Sequence, residues 1–156
     1  MTEPTEPTLT FAFEVRATLG PAIEVGKLAD GMVRRIIPVT GGTFHGPAIQ
    51  GTVLAGGADW QTVTSDGIAV LDARYTLQTD EGHFIYVSNK GIRQGKPEVL
   101  KRIAAGEEVD PSEYYMRTVP QMEASAPELD WLRRSVFVCS GARLKDGVII
   151  AFYKVN

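Results

Sequence analysis

The sequence predicts an all-β protein with one or two short helices, built as an antiparallel sandwich or a closed barrel. Three observations carry this. Four turn signals, Asp30-Gly31, Asp66-Gly67, "TDEG" at 79–82 and Asp146-Gly147, each lie between strand-like runs. Asp and Gly best tolerate the positive φ that a tight type I′ hairpin turn demands. Ten short runs around these signals read as strands, and only one region carries a full helical pattern. Many short strands joined by tight turns are the mark of an antiparallel sandwich or barrel.

Taken in order, "MTEPTEPTLT" is acidic and rich in Pro and Thr, so residues 1–8 are expected to be a disordered tail and 9–156 a single domain. The first strand, 9–19, alternates Leu9, Phe11, Phe13 and Val15 with Thr10, Ala12, Glu14 and Arg16, the period of one buried and one polar face. Further strands are expected at 23–28, 32–39, 48–55, 60–64, 68–79, 83–88, 114–121, 135–143 and 148–155. The glycines from Gly41 to Gly57 read as strand-corner chemistry, since they lack the Lys-Ser/Thr ending of a phosphate loop. "VFVC" and "VIIAFY" are apolar on both faces, which predicts burial on one side and a second sheet, a helix or a partner subunit on the other. A homo-oligomer is therefore expected.

The helix falls in "KPEVLKRIAAGEE". Pro97 sits where a first-turn proline is tolerated, Glu98 and then Lys101 and Arg102 complement the helix dipole, and Gly106 is a stop. A second, shorter helix is expected at "SAPELDWL", where Ser125 and Glu128 have capping-box spacing. Either is placed to cover a barrel mouth.

Composition excludes several functions. With 156 residues the chain fits one domain with a single sizeable core. The net charge is −3 with both signs mixed along the chain, so there is no basic stripe for nucleic acid. No apolar run approaches the ~18 residues of a membrane helix, and the N-terminus has the opposite order of a signal peptide. The expectation is a soluble, cytoplasmic protein with neither nucleic-acid nor membrane partners. Cys139 is the lone cysteine, so no internal disulfide or thiolate metal site can form. It reads as a small buried hydrophobe. His45 and His83 stand apart from any ligand-like spacing, and no metal or cofactor is expected.

Charged residues inside apolar strands are the candidates for chemistry. In "IAVLDARYTL", Asp72 and Arg74 share one face about 7 Å apart, while Leu71, Ala73, Tyr75 and Leu77 share the other. The charged face is either solvated or a polar patch in a barrel lumen. In "YYMRTVP" Arg117 is in line with Tyr115 and Val119, and "HFIYVSN" places Tyr86 and Asn89 on opposite faces. An Arg and a Tyr hydroxyl aimed into a cavity suit a carboxylate or an oxyanion. "GGADW" reads as a glycine corner with Asp59 and Trp60 at the open end. A desolvated Asp59 beside an aromatic wall has its pKa raised towards the range of a general base; the alternative is a corner Asp on backbone amides with a core Trp.

"GGTFHGPAIQGTVLAGGADWQTV", "DGIAVLDARYTLQTDEGHFIYVSNKG", "YYMRTVPQME" and "VFVCSGARLKDGVIIAFYKV", in this order, resemble the family catalogued as domain of unknown function 3237, or uncharacterised protein family 0311. The resemblance covers nearly the whole chain after the tail. It implies an antiparallel β-barrel of about 8–10 strands, similar to the allene oxide cyclase and lipocalin barrels, with an open end and an apolar cavity. Positions matching the family's recurring motif are Asp59, Trp60, Asp72, Arg74, Tyr75, Tyr86, Asn89, Arg117 and Thr118. The insert at 95–113 and Arg133 in place of Asn depart from it.

Two function classes follow. One is a cofactor-independent isomerase, cyclase or lyase on a small apolar or aromatic carbonyl or carboxylate compound. In it Asp59 moves a proton, and Arg117, Arg74 or Tyr86 stabilises the negative oxygen. Trp60, Arg74, Asp72, Tyr75, Asn89, Thr118 and Trp131 are the expected ligand-binding residues. The other is a lipocalin-like protein that binds a small molecule without chemistry.

Overall fold

The computed structural model describes residues 2–156. It contains ten strands: β1 (Leu9–Leu19), β2 (Ile23–Lys27), β3 (Val33–His45), β4 (Gln50–Val53), β5 (Gly57–Val63), β6 (Ala69–Thr79), β7 (Phe84–Gly95), β8 (Tyr114–Glu123), β9 (Val136–Arg143) and β10 (Gly147–Val155). One helix, α1 (Pro97–Ala104), and two 3-10 turns, Pro111–Glu113 and Pro127–Leu132, complete it. Residues 2–8 run exposed without regular structure up to Thr8, whose carbonyl accepts from the Asn156 backbone N–H at 2.8 Å. Met1, the start of the expected tail, lies outside the described residues.

Every neighbouring strand pair is antiparallel, and β1 pairs with both β10 and β3, which closes the sheet. Ten strands make eight staves. The short β4 and β5 both bridge β3 and β6, one above the other, and so share a stave. β2 pairs only with β3 and stands outside the barrel. The break between β4 and β5 is the "GGADW" corner. A Cβ on Gly57 would sit 2.5 Å from the Arg74 carbonyl oxygen and 2.7 Å from the Tyr75 Cβ. Only glycine lets the two backbones approach this closely.

The four hairpins form, but their turns are not type I′. Among the described residues none other than glycine has a positive φ, so the aspartates do not occupy the left-handed region. Gly31, Gly67 and Gly82 do, at φ +88°, +91° and +92°. In each case the glycine N–H donates three residues back, to Leu28, Thr64 or Thr79. This is the three-residue loop with a left-handed glycine closing a bulge. The fourth hairpin turns through Lys145-Asp146, with Leu144 N–H donating to the Gly147 carbonyl at 2.9 Å.

α1 follows the pattern read for it, with Pro97 in the first turn, Lys101 and Arg102 in the last, and Gly106 at φ +86° ending it. The second expected helix is a 3-10 turn entered through Ala126 without a side-chain cap, so the Ser125–Glu128 capping box does not form. Glu128 pairs instead with His83, Oε1 to Nε2 at 2.6 Å. β3 and β7 run several residues further than their sequence patterns, β7 to Gly95.

Interior positions alternate along every stave, and the two ends of the barrel differ. One end is filled by Phe13, Phe44, Leu77, Ile85, Phe137 and Phe152, all at most 2% exposed. Phe13 stacks on Phe152 with centroids 4.3 Å apart and meets Phe44 edge-on at 6.0 Å. Such pairs add ~0.5–1.5 kcal/mol each beyond the apolar area they bury. The other end is not filled. α1 lies near it, with Val99 buried and Leu100 against the β5–β6 turn at Gly67.

Candidate functional site

At the unfilled end the lumen holds a cavity of about 70 Å³. Its walls are mostly apolar, from Ile37, Val39, Leu71, Ala73, Met116 and Ile150, and its polar groups are Asp59, Gln61, Asn89, Arg93, Thr118 and Arg143. A cavity of roughly 150 Å³ is needed to take a benzene ring. An aromatic compound therefore fits only if side chains at the mouth move, and Arg93 is one of the side chains that line it. It also walls a cleft of about 300 Å³ between the β5–β6 turn and α1, lined by Arg35, Asp66, Leu100 and Lys101 among others. Arg93 thus lines both the inner cavity and the outer cleft.

Asp59 is built into the lumen by the strand break that precedes it. The β5–β6 ladder is regular at Asp59↔Ala73 and again at Thr62↔Val70, and it is interrupted between them. The freed N–H of Asp72 donates to Asp59 Oδ1 at 2.8 Å. The other oxygen, Oδ2, accepts from Gln61 Nε2 at 3.0 Å. Gln61 is fully buried, and its Oε1 accepts from Arg35 Nη1 at 3.3 Å, while Arg35 Nε pairs with Glu24 at 2.9 Å. A polar chain therefore runs from the outer strand β2 to the cavity carboxylate. Burial pushes the Asp59 carboxyl above its ordinary 3.8, against the lowering effects of the Asp72 amide, Gln61 and the positive field of Arg93. Desolvation wins because neither hydrogen-bond donor to Asp59 is charged.

Several other polar groups around the cavity lack partners. Arg93 is 8% exposed, and its Nε has no hydrogen-bond partner. Burial first, and then the nearby Arg143, lower its pKa to about 10. Arg143 is lowered too, by burial and then by Arg35, and its Nη1 is held on the Gly147 and Leu144 carbonyls at 2.7 and 3.3 Å. Asn89 Oδ1, Thr118 Oγ1 and the Tyr75 hydroxyl are also buried without partners. Burial drives the Tyr75 phenol far up and the Cys139 thiol up to about 12. Cys139 is buried, with Asn89 Nδ2 at 3.8 Å from its sulfur. It is an inert thiol. Unpartnered polar atoms are rare in protein interiors. Three of these, on Arg93, Asn89 and Thr118, belong to residues lining one small cavity.

The residues read from the sequence divide between two faces. Asp59, Asn89 and Thr118 line the cavity, and Tyr75 is buried beside Asn89 and Cys139. Arg117 does not enter it. Its neighbours Met116 and Thr118 face inward, so Arg117 faces out, over the Tyr115 ring at 5.3 Å and with Nη1 on the Met116 carbonyl at 3.0 Å. Asp72 and Arg74 likewise alternate with the inward Leu71, Ala73 and Tyr75 and form an outer ion pair at 3.6 Å. Tyr86 and Trp60 are each 38% exposed and border an outer groove with Arg74. Trp131 packs on Phe137 with centroids 6.0 Å apart, at the filled end. On the outer face the charges of Asp72, Arg74 and Arg117 keep their contact with water, which burial among apolar walls would remove.

Sequence reasoning missed Gln61, Arg93 and Arg143. The signal was present: carrying the period of two along β7 gives Ile85, Val87, Asn89, Gly91 and Arg93, and along β9 gives Phe137, Cys139, Gly141 and Arg143. Among the described residues no group of His, Cys, Asp and Glu is placed to hold a metal ion. No helix there is long and apolar enough to cross a membrane.

Fold and site together define a closed antiparallel barrel, plugged by aromatic side chains at one end and holding an acid and two arginines at the other. The chain belongs to the family described as protein of unknown function (DUF3237), which residues 7–155 match. It is 40% identical over 145 residues to the UPF0311 protein of Rhodopseudomonas palustris (strain TIE-1), covering 93% of this chain and 94% of that one. The crystal structure of a beta-barrel like protein from Acinetobacter baumannii AYE overlays with a TM-score of 0.88 at 42% identity, covering 100% of both chains. A more distant relative is the hydroalkoxylation enzyme phnH of Penicillium herquei, 38% identical over 85 residues, 54% of this chain and 56% of that one.

Proposed function

We propose that the chain is a cofactor-independent enzyme, an isomerase, cyclase or lyase acting on a small apolar or aromatic carbonyl or carboxylate compound in the barrel cavity. The observation that carries this reading is Asp59, a carboxylate inside an apolar-walled cavity with its pKa raised by burial and its orientation fixed by Asp72 and Gln61. A carboxyl whose pKa is raised by burial holds a proton more tightly than an exposed one, which suits it to take and return a proton in turn. Arg93 and Arg143 take the oxyanion-stabilising role that Arg117, Arg74 and Tyr86, on the outer face, cannot fill. The name of the Penicillium relative supports the same class. Hydroalkoxylation adds an O–H across a C=C: the hydroxyl proton leaves oxygen, a C–O bond forms, and a proton returns to carbon. No atom is lost and no electron acceptor is needed.

The test is a turnover screen on unsaturated hydroxy acids, hydroxy enones and alkenyl phenols bearing a carbonyl or carboxylate, with the parent and Asp59→Asn. On any converted substrate, Asp59→Asn is expected to lower kcat by about 10²–10⁴-fold while still binding. Normal turnover by Asp59→Asn refutes the assignment. Binding without conversion by the parent across the screen would favour the lipocalin-like reading.

A further inference from the structure

Arg93 is the least explained side chain in the molecule. A guanidinium has five N–H donors and a charge that cannot be shed near neutral pH. Yet Arg93 is 8% exposed, its Nε is buried without a partner, and none of the ion pairs among the described residues includes it. Nor is its neighbourhood negative on balance. Arg143 and Arg35 act on it with the same sign, and Asp59, the carboxylate whose field reaches it, spends its oxygens on Asp72 and Gln61. Arg35 is already neutralised by Glu24. An isolated buried guanidinium is too costly to retain for packing alone, since an apolar side chain of similar volume packs as well.

From this we infer that the cavity binds a small organic carboxylate with an apolar body, its carboxylate held by Arg93 with Arg143 beside it and its body against Leu71, Ile37 and Ile150. Arg93 and Arg143 line the same cavity, and the carbonyls of Leu144 and Gly147 hold Arg143 in place there. Arg93 also faces the cleft under α1, where Lys101 offsets Asp66 and Arg35 is paired with Glu24. Arg93 is therefore the positive charge left for an incoming anion, which draws the guanidinium onto itself and opens the inner cavity as it does so. Thr118 Oγ1 and Asn89 Oδ1, both without partners, are left to hydrogen-bond a hydroxyl or carbonyl on the body. The anion site deepens the enzymatic reading and rests on it only for what happens to the ligand after binding.

Matched pairs of acid and amide test this: benzoate against benzamide, and cyclohexanecarboxylate against its amide, titrated calorimetrically into the purified protein. The amide keeps the shape and loses the charge. At least one acid should bind about tenfold or more tightly than its amide, and Arg93→Met should weaken that acid by about 10–100-fold while leaving the amide unchanged. Arg143→Met should weaken it in the same direction, which serves if Arg93→Met fails to fold by circular dichroism. Arg117→Met, on the outer face, should bind like the parent. Asp59→Asn should bind the acid at least as well, because a like charge has gone. The inference fails if no acid binds in preference to its amide, if both arginine variants bind like the parent, or if Arg117→Met loses as much as Arg93→Met. A normal turnover in Asp59→Asn alongside lost binding in Arg93→Met would remove the proton-transfer role and leave the anion site standing. The reverse pattern would do the opposite.

Discussion

At the scale of single residues, Asp59 and Arg93 give signatures in stability as well as in chemistry. Folded Asp59 holds its proton more tightly than the unfolded chain does, because burial raises its pKa above 3.8. Between 3.8 and that raised value the folded state binds more protons, so this group makes stability fall as pH rises through the window. Asp59→Asn should remove that slope, which thermal melts from pH 4 to pH 8 would read. An unchanged slope would mean that the carboxyl is not desolvated. Arg93 has the complementary sign. A folded pKa of about 10, below the ordinary 12.5, means that the charged form is disfavoured on folding at every pH under about 10. Arg93→Met should therefore raise the stability of the ligand-free protein by about 1 kcal/mol, or ~2–4 °C in melting temperature. A lower melting temperature would show that Arg93 has a partner in solution. Gln61 acts through its neighbour. Gln61→Leu removes a hydrogen bond that lowers the Asp59 pKa, so the acid limb of kcat/KM for any converted substrate should move to higher pH.

At the scale of elements, the β4–β5 break is the feature that places the acid. Gly57→Ala puts a methyl group 2.5 Å from the Arg74 carbonyl, between strands that cannot separate without opening the barrel. It should cost about 2–4 kcal/mol in chemical denaturation. Gly56→Ala tests a different cost. Nothing lies within 4 Å of its Cβ position, and the penalty comes only from a φ of +106°, so about 1–2 kcal/mol is expected. If the two substitutions cost the same, close backbone approach is not what selects Gly57. Element types were largely legible in the sequence because Asp-Gly turns and period-two strands are local signals. Which face pointed inward was less so. "LDARYTL" showed correctly that Asp72 and Arg74 oppose Leu71, Ala73 and Tyr75, but a lone strand does not say which side closes on itself. Arg93 and Arg143 were hidden for a related reason. Arg93 sits in "KGIRQGK", where glycines and charge read as loop although pairing with β8 holds it as strand, and Arg143 is the last residue of the strand expected at 135–143, where its side read as the strand's polar end.

At the scale of the whole molecule, the outer surface is as informative as the lumen. Phe11, Val136, Val138, Ile149 and Tyr153 lie on the outward faces of the adjoining strands β1, β9 and β10, with Phe11 edge-on to Tyr153 at 5.9 Å and Val136 63% exposed. We propose that this face meets a second copy of the chain, as two-faced apolar strands led us to expect. Sedimentation at micromolar concentration should give a dimer or larger species. Val138→Lys should then yield a monomer, and a monomeric parent would refute the idea. The plugged end has a consequence for kinetics. With the Phe13, Phe44 and Phe152 rings sealing the far side, the route into the chamber that the structure offers runs under α1 and past Arg93. In the enzyme proposed above, a converted molecule must leave by the route the next one needs, and the two cannot pass. On any converted substrate, product should accordingly inhibit competitively, and non-competitive product inhibition would point to a second exit.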